Sequence, residues 1–127
     1  MKLLLDTHTL VWWETNPSQI PTETLDLIGS SDHETMISVI SFWELVIKAR
    51  SGTFLFSGQI REVAAKQVAN GLILLPVTIE HIDVLRTLPL EHKDPFDRLL
   101  IAQAIAESAT MISVDRVFAC YPVPVLW

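Results

Sequence analysis

Four acidic residues set far apart in the chain, Asp6, Glu44, Asp97 and Asp115, have the most chemistry to offer. Gathered in one place, three or four carboxylates raise one another's proton affinity. They stay ionised together only when a divalent cation shares the space between them. Hard oxygen donors of this kind suit Mg²⁺, with Mn²⁺ as the close alternative. Transition-metal chemistry has little support, because His8 and His92 stand in no HExxH spacing and there is no cysteine cluster. His33 and His81 carry no positional signal.

Each acid also has an architectural reading. Glu44 follows Ser41 by three residues, the spacing of a capping box, and precedes Lys48 by four, where an exposed ion pair contributes about 0.3 kcal/mol. Asp97 stands three residues after Asp94 at the head of a helix, where a carboxylate meets the positive end of the helix dipole. Asp6 and Asp115 each follow an apolar run directly. A charge at the end of a buried strand must be hydrated, hydrogen-bonded or paired, so loop capping is their alternative.

The elements that must position these acids alternate between strand and helix. Leu3, Leu4 and Leu5 form an unalternated apolar run ending at Asp6, as expected of a central parallel strand covered on both faces. A helix is expected over residues 7–14, broken by Asn16 and Pro17, and a second over 22–28, closed by Gly29. Residues 35–38 read as a strand leading into a helix over 40–50, with Ser38 or Ser41 as its cap, then a loop over 52–58. A helix over 59–70 stops at Gly71, and a third strand over 73–77 is interrupted by Pro76. Thr78 caps a further helix ended by Pro89. Asp94 and Pro95 open the clearest helix, running to about Ser108, with Pro in its favoured first position. Residues 110–114 form a fourth strand and 123–126 a fifth. This alternation predicts one three-layer α/β/α domain over residues 1–127 with a largely parallel sheet of four or five strands. Such sheets place their sites beyond the strand carboxyl ends, where Asp6 and Asp115 fall.

Composition bounds the function. With 127 residues and 50% hydrophobic content the chain can build its own core, and Cys120, the single cysteine, makes an internal disulfide impossible. These features predict a cytoplasmic protein that does not enter a membrane. The net charge of −6 excludes a basic-tail nucleic-acid binder but not an enzyme whose few bases are placed locally. There is no GxGxxG, no GKS or GKT loop and no GxSxG elbow. His8 stands where a phosphoaspartyl phosphatase has its second aspartate. A receiver-like reading fares little better, since it expects an acidic pair at the first strand and a phosphorylated Asp at the third, where this chain has Pro76.

In combination, LLLDTH, ISVISFWELVIKAR, HKDPFDRLLIAQA, TMISVD and the closing YPVPVLW resemble the PIN-domain ribonucleases, specifically the VapC toxins of toxin–antitoxin operons. The resemblance extends over nearly the whole chain. It implies a metal-dependent endoribonuclease that hydrolyses RNA with activated water, leaving a 5′-phosphate and a 3′-hydroxyl. On this reading Asp6, Asp97 and Asp115 hold Mg²⁺ or Mn²⁺ directly or through water, and Glu44 holds a water or assists proton removal. Ser113 supports the site, and Asp94 caps its helix first and serves as an outer group second. Lys48, Arg50, Arg98 and Arg116 are the candidate phosphate contacts, with Arg98 equally able to pair with an acid. The resemblance further implies a homodimer and a cognate antitoxin laid over the groove. Trp43 is expected in the core, and at least one of Trp12 and Trp13 at a protein surface, with Phe54 and Phe56 open to either role. The competing readings are an inactive PIN-like interaction module and a small-molecule phosphohydrolase.

Overall fold

In the computed structural model, which describes residues 1–50 and 59–127, β1 (Lys2–Leu5) is the middle strand of a five-stranded sheet. On one side it pairs with β2 (Glu34–Ser38), which pairs with β3 (Ile73–Leu75); on the other it pairs with β4 (Thr110–Ile112), which pairs with β5 (Val125–Leu126). All four pairings are parallel, and the strand order is β3-β2-β1-β4-β5. The expected sheet is therefore present with its full five strands. β3 ends at Leu75, one residue short of Pro76, because proline cannot donate to the ladder.

Period-two alternation along β1 explains the layers. Leu4 packs into a core with Met36, Leu88, Leu100, Ile101, Ala104 and Met111, under α5 (Ile79–Thr87) and α6 (Pro95–Ala106). Leu3 and Leu5 face the other way, into a core with Leu10, Ile28, Val63 and Ile112. That layer is formed by α1 (Thr7–Thr15), α2 (Thr22–Gly29) and α4 (Ile60–Ala69). Because both faces of β1 are buried, its run of leucines needs no polar alternation.

α3 (Val39–Arg50) behaves differently: Ile40 enters one core and Phe42 the other, and the helix touches both α1 and α6. It thus crosses from one layer to the other at the carboxyl end of β2. Ser38 begins it, accepting from Ile40 N at 3.1 Å, so the helix starts ahead of Ser41 and Glu44 lies in its second turn rather than in a capping box. No helix among the described residues is long and apolar enough to cross a membrane. The expected loop over 52–58, with Phe54 and Phe56, lies outside the described residues, as does the Arg50 side chain.

Candidate active site at the strand carboxyl ends

The chain runs outward from β1 through β2 to β3, then returns to the other side of β1 for β4 and β5. The order therefore reverses at the β1–β4 seam, where open parallel sheets leave a crevice beyond the carboxyl ends. Register sets what faces that crevice. Leu5 pairs with Ile112, and Asp6 N donates to Ile112 O at 3.1 Å, so Asp6 and Ser113 are adjacent exits of neighbouring strands.

Asp6 is only 3% exposed. Its Oδ1 accepts from Thr9 N at 2.8 Å, capping α1, while Oδ2 accepts from Ser113 Oγ. Burial pushes its proton affinity up, opposed by the Ser113 and Thr9 hydrogen bonds and by His8. Ser113 Oγ in turn accepts from Asp115 N at 3.0 Å, tying the last of the four acids to the same seam. Asp115 is exposed, and its Oδ1 accepts from Val117 N at 3.0 Å at the start of the 3-10 turn Arg116–Cys120.

The second half of the site is carried by α3 and α6. Glu44 is 2% exposed, so its expected surface ion pair is instead a partly buried one, with Lys48 still reaching solvent. Its Oε1 accepts from Thr7 Oγ1 at 2.6 Å, and its Oε2 pairs with Lys48 Nζ. Thr7 is also hydrogen-bonded to Ser41 Oγ at 3.0 Å, which locks the head of α1 onto α3. For Lys48, partial desolvation disfavours the charge, but Glu44, and further off Asp94 and Asp97, outweigh it and hold the ammonium protonated. Asp94 caps α6, its Oδ1 accepting from Phe96 N at 2.9 Å and Asp97 N at 3.2 Å.

Asp97 Oδ2 bonds His92 Nε2 at 2.8 Å. Its proton affinity is pushed from 3.8 up to about 6, first by burial and then by the negative charges of Asp94 and Glu44, against the pull of His92. Glu44 and Asp97 therefore act on one another across the α3–α6 contact. Among the described residues, His92, Asp94 and Asp97 form a set whose ligand atoms all lie within 4.8 Å of one another. Asp6, Glu44 and Asp115 stand outside that set. Glu44 couples to it through charge, directly and by way of Lys48, whereas Asp6 and Asp115 are joined to each other through Ser113. The donors are mostly carboxylates, and Asp97 is under electrostatic pressure that a cation would relieve. Both features fit a hard divalent ion.

Arg98 is hydrogen-bonded within the protein. Its Nη1 donates to Pro89 O at 2.7 Å and lies 3.5 Å from His92 O and 3.4 Å from Tyr121 Oη, bracing the loop ahead of α6. Arg116 is exposed beside Ser113 and Asp115. Trp43, expected in the core, is 56% exposed, because α3 turns that face outward; its ring meets Phe96 edge-on, with centroids 5.0 Å apart. Trp12 and Trp13 diverge as adjacent helical residues must, both half-buried, with Trp13 Nε1 donating to Gln67 Oε1 at 2.9 Å. Thr7 was missed as a site residue in the sequence, where it reads only as a helix start. The hydroxyl beside the first acid was the available signal. The role of His92 as holder of Asp97 has its signal in the spacing of five residues between them.

The chain matches the PIN domain family model over residues 3–123 and belongs to that family. Its fold is similar to solved structures of toxin–antitoxin complexes. VapBC2 from Rickettsia felis bound to a DNA fragment from their promoter aligns with a TM-score of 0.72 at 19% identity, over 99% of this chain and 98% of that one. DNA-bound VapBC from Salmonella typhimurium aligns at 0.68 and 19% identity, over 99% and 97%. VapBC-1 from nontypeable Haemophilus influenzae aligns at 0.64 and 14% identity, over 99% and 97%. No curated protein sequence matched the chain.

Proposed function

We propose that this protein is a Mg²⁺- or Mn²⁺-dependent endoribonuclease, the VapC-like toxin of a toxin–antitoxin pair. The observation that supports the reading is a pair of linkages between acids from distant parts of the sequence, at the carboxyl ends of the strands and the heads of α3 and α6. Asp6 is joined to Asp115 through Ser113, and Glu44 is joined to the head of α1 through Thr7 and to Asp97 through charge. PIN family membership and the likeness to VapBC structures support the same reading.

Asp6, Asp97 and Asp115 would hold the ion, with Glu44 and Asp94 in support. A bound divalent ion supplies Lewis acidity that lowers the pKa of water and polarises a phosphoryl oxygen. The protein's own groups do the rest. Ser113 and Thr9 fix the orientation of Asp6. Glu44, buried and hydrogen-bonded by Thr7 and Lys48, is suited to orient the attacking water or accept its proton. Lys48 offsets part of the negative field that would repel a phosphodiester, and exposed Arg116 is the base placed to contact a substrate phosphate. We further propose a homodimer, neutralised by a cognate antitoxin and working in the cytoplasm.

The test is cleavage-end mapping of total cellular RNA treated with wild-type and Asp6→Asn protein in Mn²⁺ and in chelator. Discrete new 5′-phosphate ends with wild-type protein and metal alone are expected. Ends that persist with Asp6→Asn or in chelator would refute the assignment. Induced expression should arrest growth, relieved by the co-expressed partner.

A further inference from the structure

His8 and Trp12 lie one helical turn apart on α1, immediately after Asp6. Their rings meet at 5.9 Å with a 56° tilt, and Trp12 meets Trp127 at 5.6 Å with a 51° tilt. Trp127 follows β5, whose Leu126 accepts from Ser113 N at 3.0 Å. The three rings therefore line up beside the seam that holds Asp6 and Ser113. His8 is exposed and both tryptophans are half-buried. Trp127 is also one wall of an open cavity of about 420 Å³, whose other walls include Ser113, Asp115, Arg116 and Leu126. That volume falls within the roughly 300–1,000 Å³ typical of small-ligand sites. One cavity thus presents an aromatic wall, a guanidinium, and a hydroxyl that is bonded to the first catalytic acid.

We infer that the His8–Trp12–Trp127 ladder and the Trp127 cavity form a stacking subsite for an unpaired nucleobase of the RNA strand next to the cut, with Arg116 on its phosphate. The inference rests on the endoribonuclease reading and adds the place where the strand is gripped. Charge explains why such a grip is needed. A protein of net charge −6 gains little from counterion release, whereas base–aromatic stacking does not depend on net charge. Trp127 forms the wall of the cavity, and its tilted contact with Trp12, and that of Trp12 with His8, continue the aromatic surface along α1. The subsite accepts single-stranded substrate, because a paired base cannot present its face.

The test measures binding by fluorescence anisotropy of a fluorescein-labelled single-stranded octaribonucleotide in Ca²⁺ at low salt. Wild-type protein is expected to bind with a shallow salt dependence. Replacing the base by an abasic residue at successive positions should weaken binding at one register by roughly 5- to 150-fold, the range for loss of one stacked base. Trp127→Ala should produce the same loss and remove the abasic effect, while Trp127→Phe keeps most of the affinity. Absence of octamer binding, or binding by wild-type protein that is indifferent to every abasic position, would overturn the subsite. The abasic scan needs no variant and so decides the matter even if Trp127→Ala fails to fold. If Trp127→Ala binds the octamer normally but loses a co-purifying protein, the rings belong to a protein interface and the inference falls. Hydrolysis of the unmodified octamer by wild-type protein in Mn²⁺ is scored separately. Base-dependent binding together with no new ends in total cellular RNA would remove the nuclease reading and leave the rings as a base-binding site without a cut beside it.

Discussion

Ser113 Oγ donates to Asp6 Oδ2 across the β1–β4 seam, joining two residues 107 positions apart in the chain at the point where the sheet order reverses. The same oxygen accepts from Asp115 N, so one hydroxyl sets the relation of two acids. A hydrogen bond to a charged group contributes about 1.5–3 kcal/mol, and Asp6 is too buried for water to replace it. Ser113→Ala is therefore expected to lower Tm by several degrees and to cut RNA cleavage at limiting Mn²⁺ by about tenfold or more. Ser113→Thr keeps the hydroxyl and should stay close to wild type. Calorimetry and Mn²⁺ titration of cleavage check this, and an alanine variant with wild-type metal dependence would remove Ser113 from the site.

Asp97 makes the metal-free protein sensitive to pH. Its folded pKa is raised from 3.8 to about 6, by burial first and by Asp94 and Glu44 next. A carboxyl whose pKa is higher in the folded than in the unfolded state holds more protons when folded. Stability from this group is thus fully present below about pH 4 and is lost as pH rises through about 6. Asp6, shifted in the same direction, adds to the trend. In chelator, Asp97→Asn should raise Tm at pH 7 by a few degrees while abolishing cleavage, and Mn²⁺ should raise the Tm of wild type but not of the variant. Thermal melts at pH 5 and pH 7 with and without Mn²⁺ decide it; a Tm lowered by Asp97→Asn would contradict the electrostatic account.

Much of this arrangement was legible in the sequence, for reasons that differ by element. The LLLD run, buried on both faces, announced a central parallel strand ending in an acid, and Asp94–Pro95 marked the start of α6 with its cap. Both are local signals with one physical meaning. Trp43 was misjudged because a helix that crosses between two layers buries two stripes, and aliphatic neighbours cannot tell which side is left outside. The burial of Glu44 was equally invisible, since an i,i+4 pair with Lys48 looks the same exposed or covered. His81 gave no signal because its ring completes a capping box with Thr78, a place usually taken by Glu or Gln.

His92 is the residue that aims Asp97. Its backbone N donates to Tyr121 Oη at 2.8 Å, and Arg98 braces the same loop through Pro89 O at 2.7 Å, so the backbone that carries the ring is held at two points. Carboxylate ligands depend on such outer partners, whose loss typically costs 10–100-fold in metal affinity or activity. His92→Leu should raise the Mn²⁺ concentration for half-maximal cleavage by about tenfold or more, with His92→Gln, which retains a terminal N–H donor, falling between. Tyr121→Phe should shift the same parameter in the same direction by loosening the loop. A leucine variant with unaltered metal demand would show that Asp97 is oriented by α6 alone.

Gln103 is fully buried on α6, six residues after Asp97, and connects three elements. Its Oε1 accepts from Ser38 Oγ at 2.5 Å at the head of α3; its Nε2 donates to Pro76 O at 3.2 Å and lies 3.4 Å from His81 Nδ1. His81 Nδ1 accepts from Thr78 N at 3.0 Å, which leaves the proton of the neutral ring on Nε2, facing Glu107 at 2.9 Å. Gln103→Leu matches the volume but strands the Ser38 hydroxyl and the Pro76 carbonyl. Each stranded buried group costs about 1–3 kcal/mol, so a loss of roughly 2–6 kcal/mol is expected, read by urea denaturation. Gln103→Leu combined with Ser38→Ala should cost less than the sum of the two single changes, because the alanine removes the stranded hydroxyl. Ser38 heads the helix that carries Glu44, and Gln103 sits on the helix that carries Asp97. Their bond therefore helps set the distance between those two acids, and cleavage per folded molecule should fall along with stability. If cleavage per folded molecule is unchanged, the α3–α6 spacing is fixed by apolar packing, and the buried amide serves the fold alone.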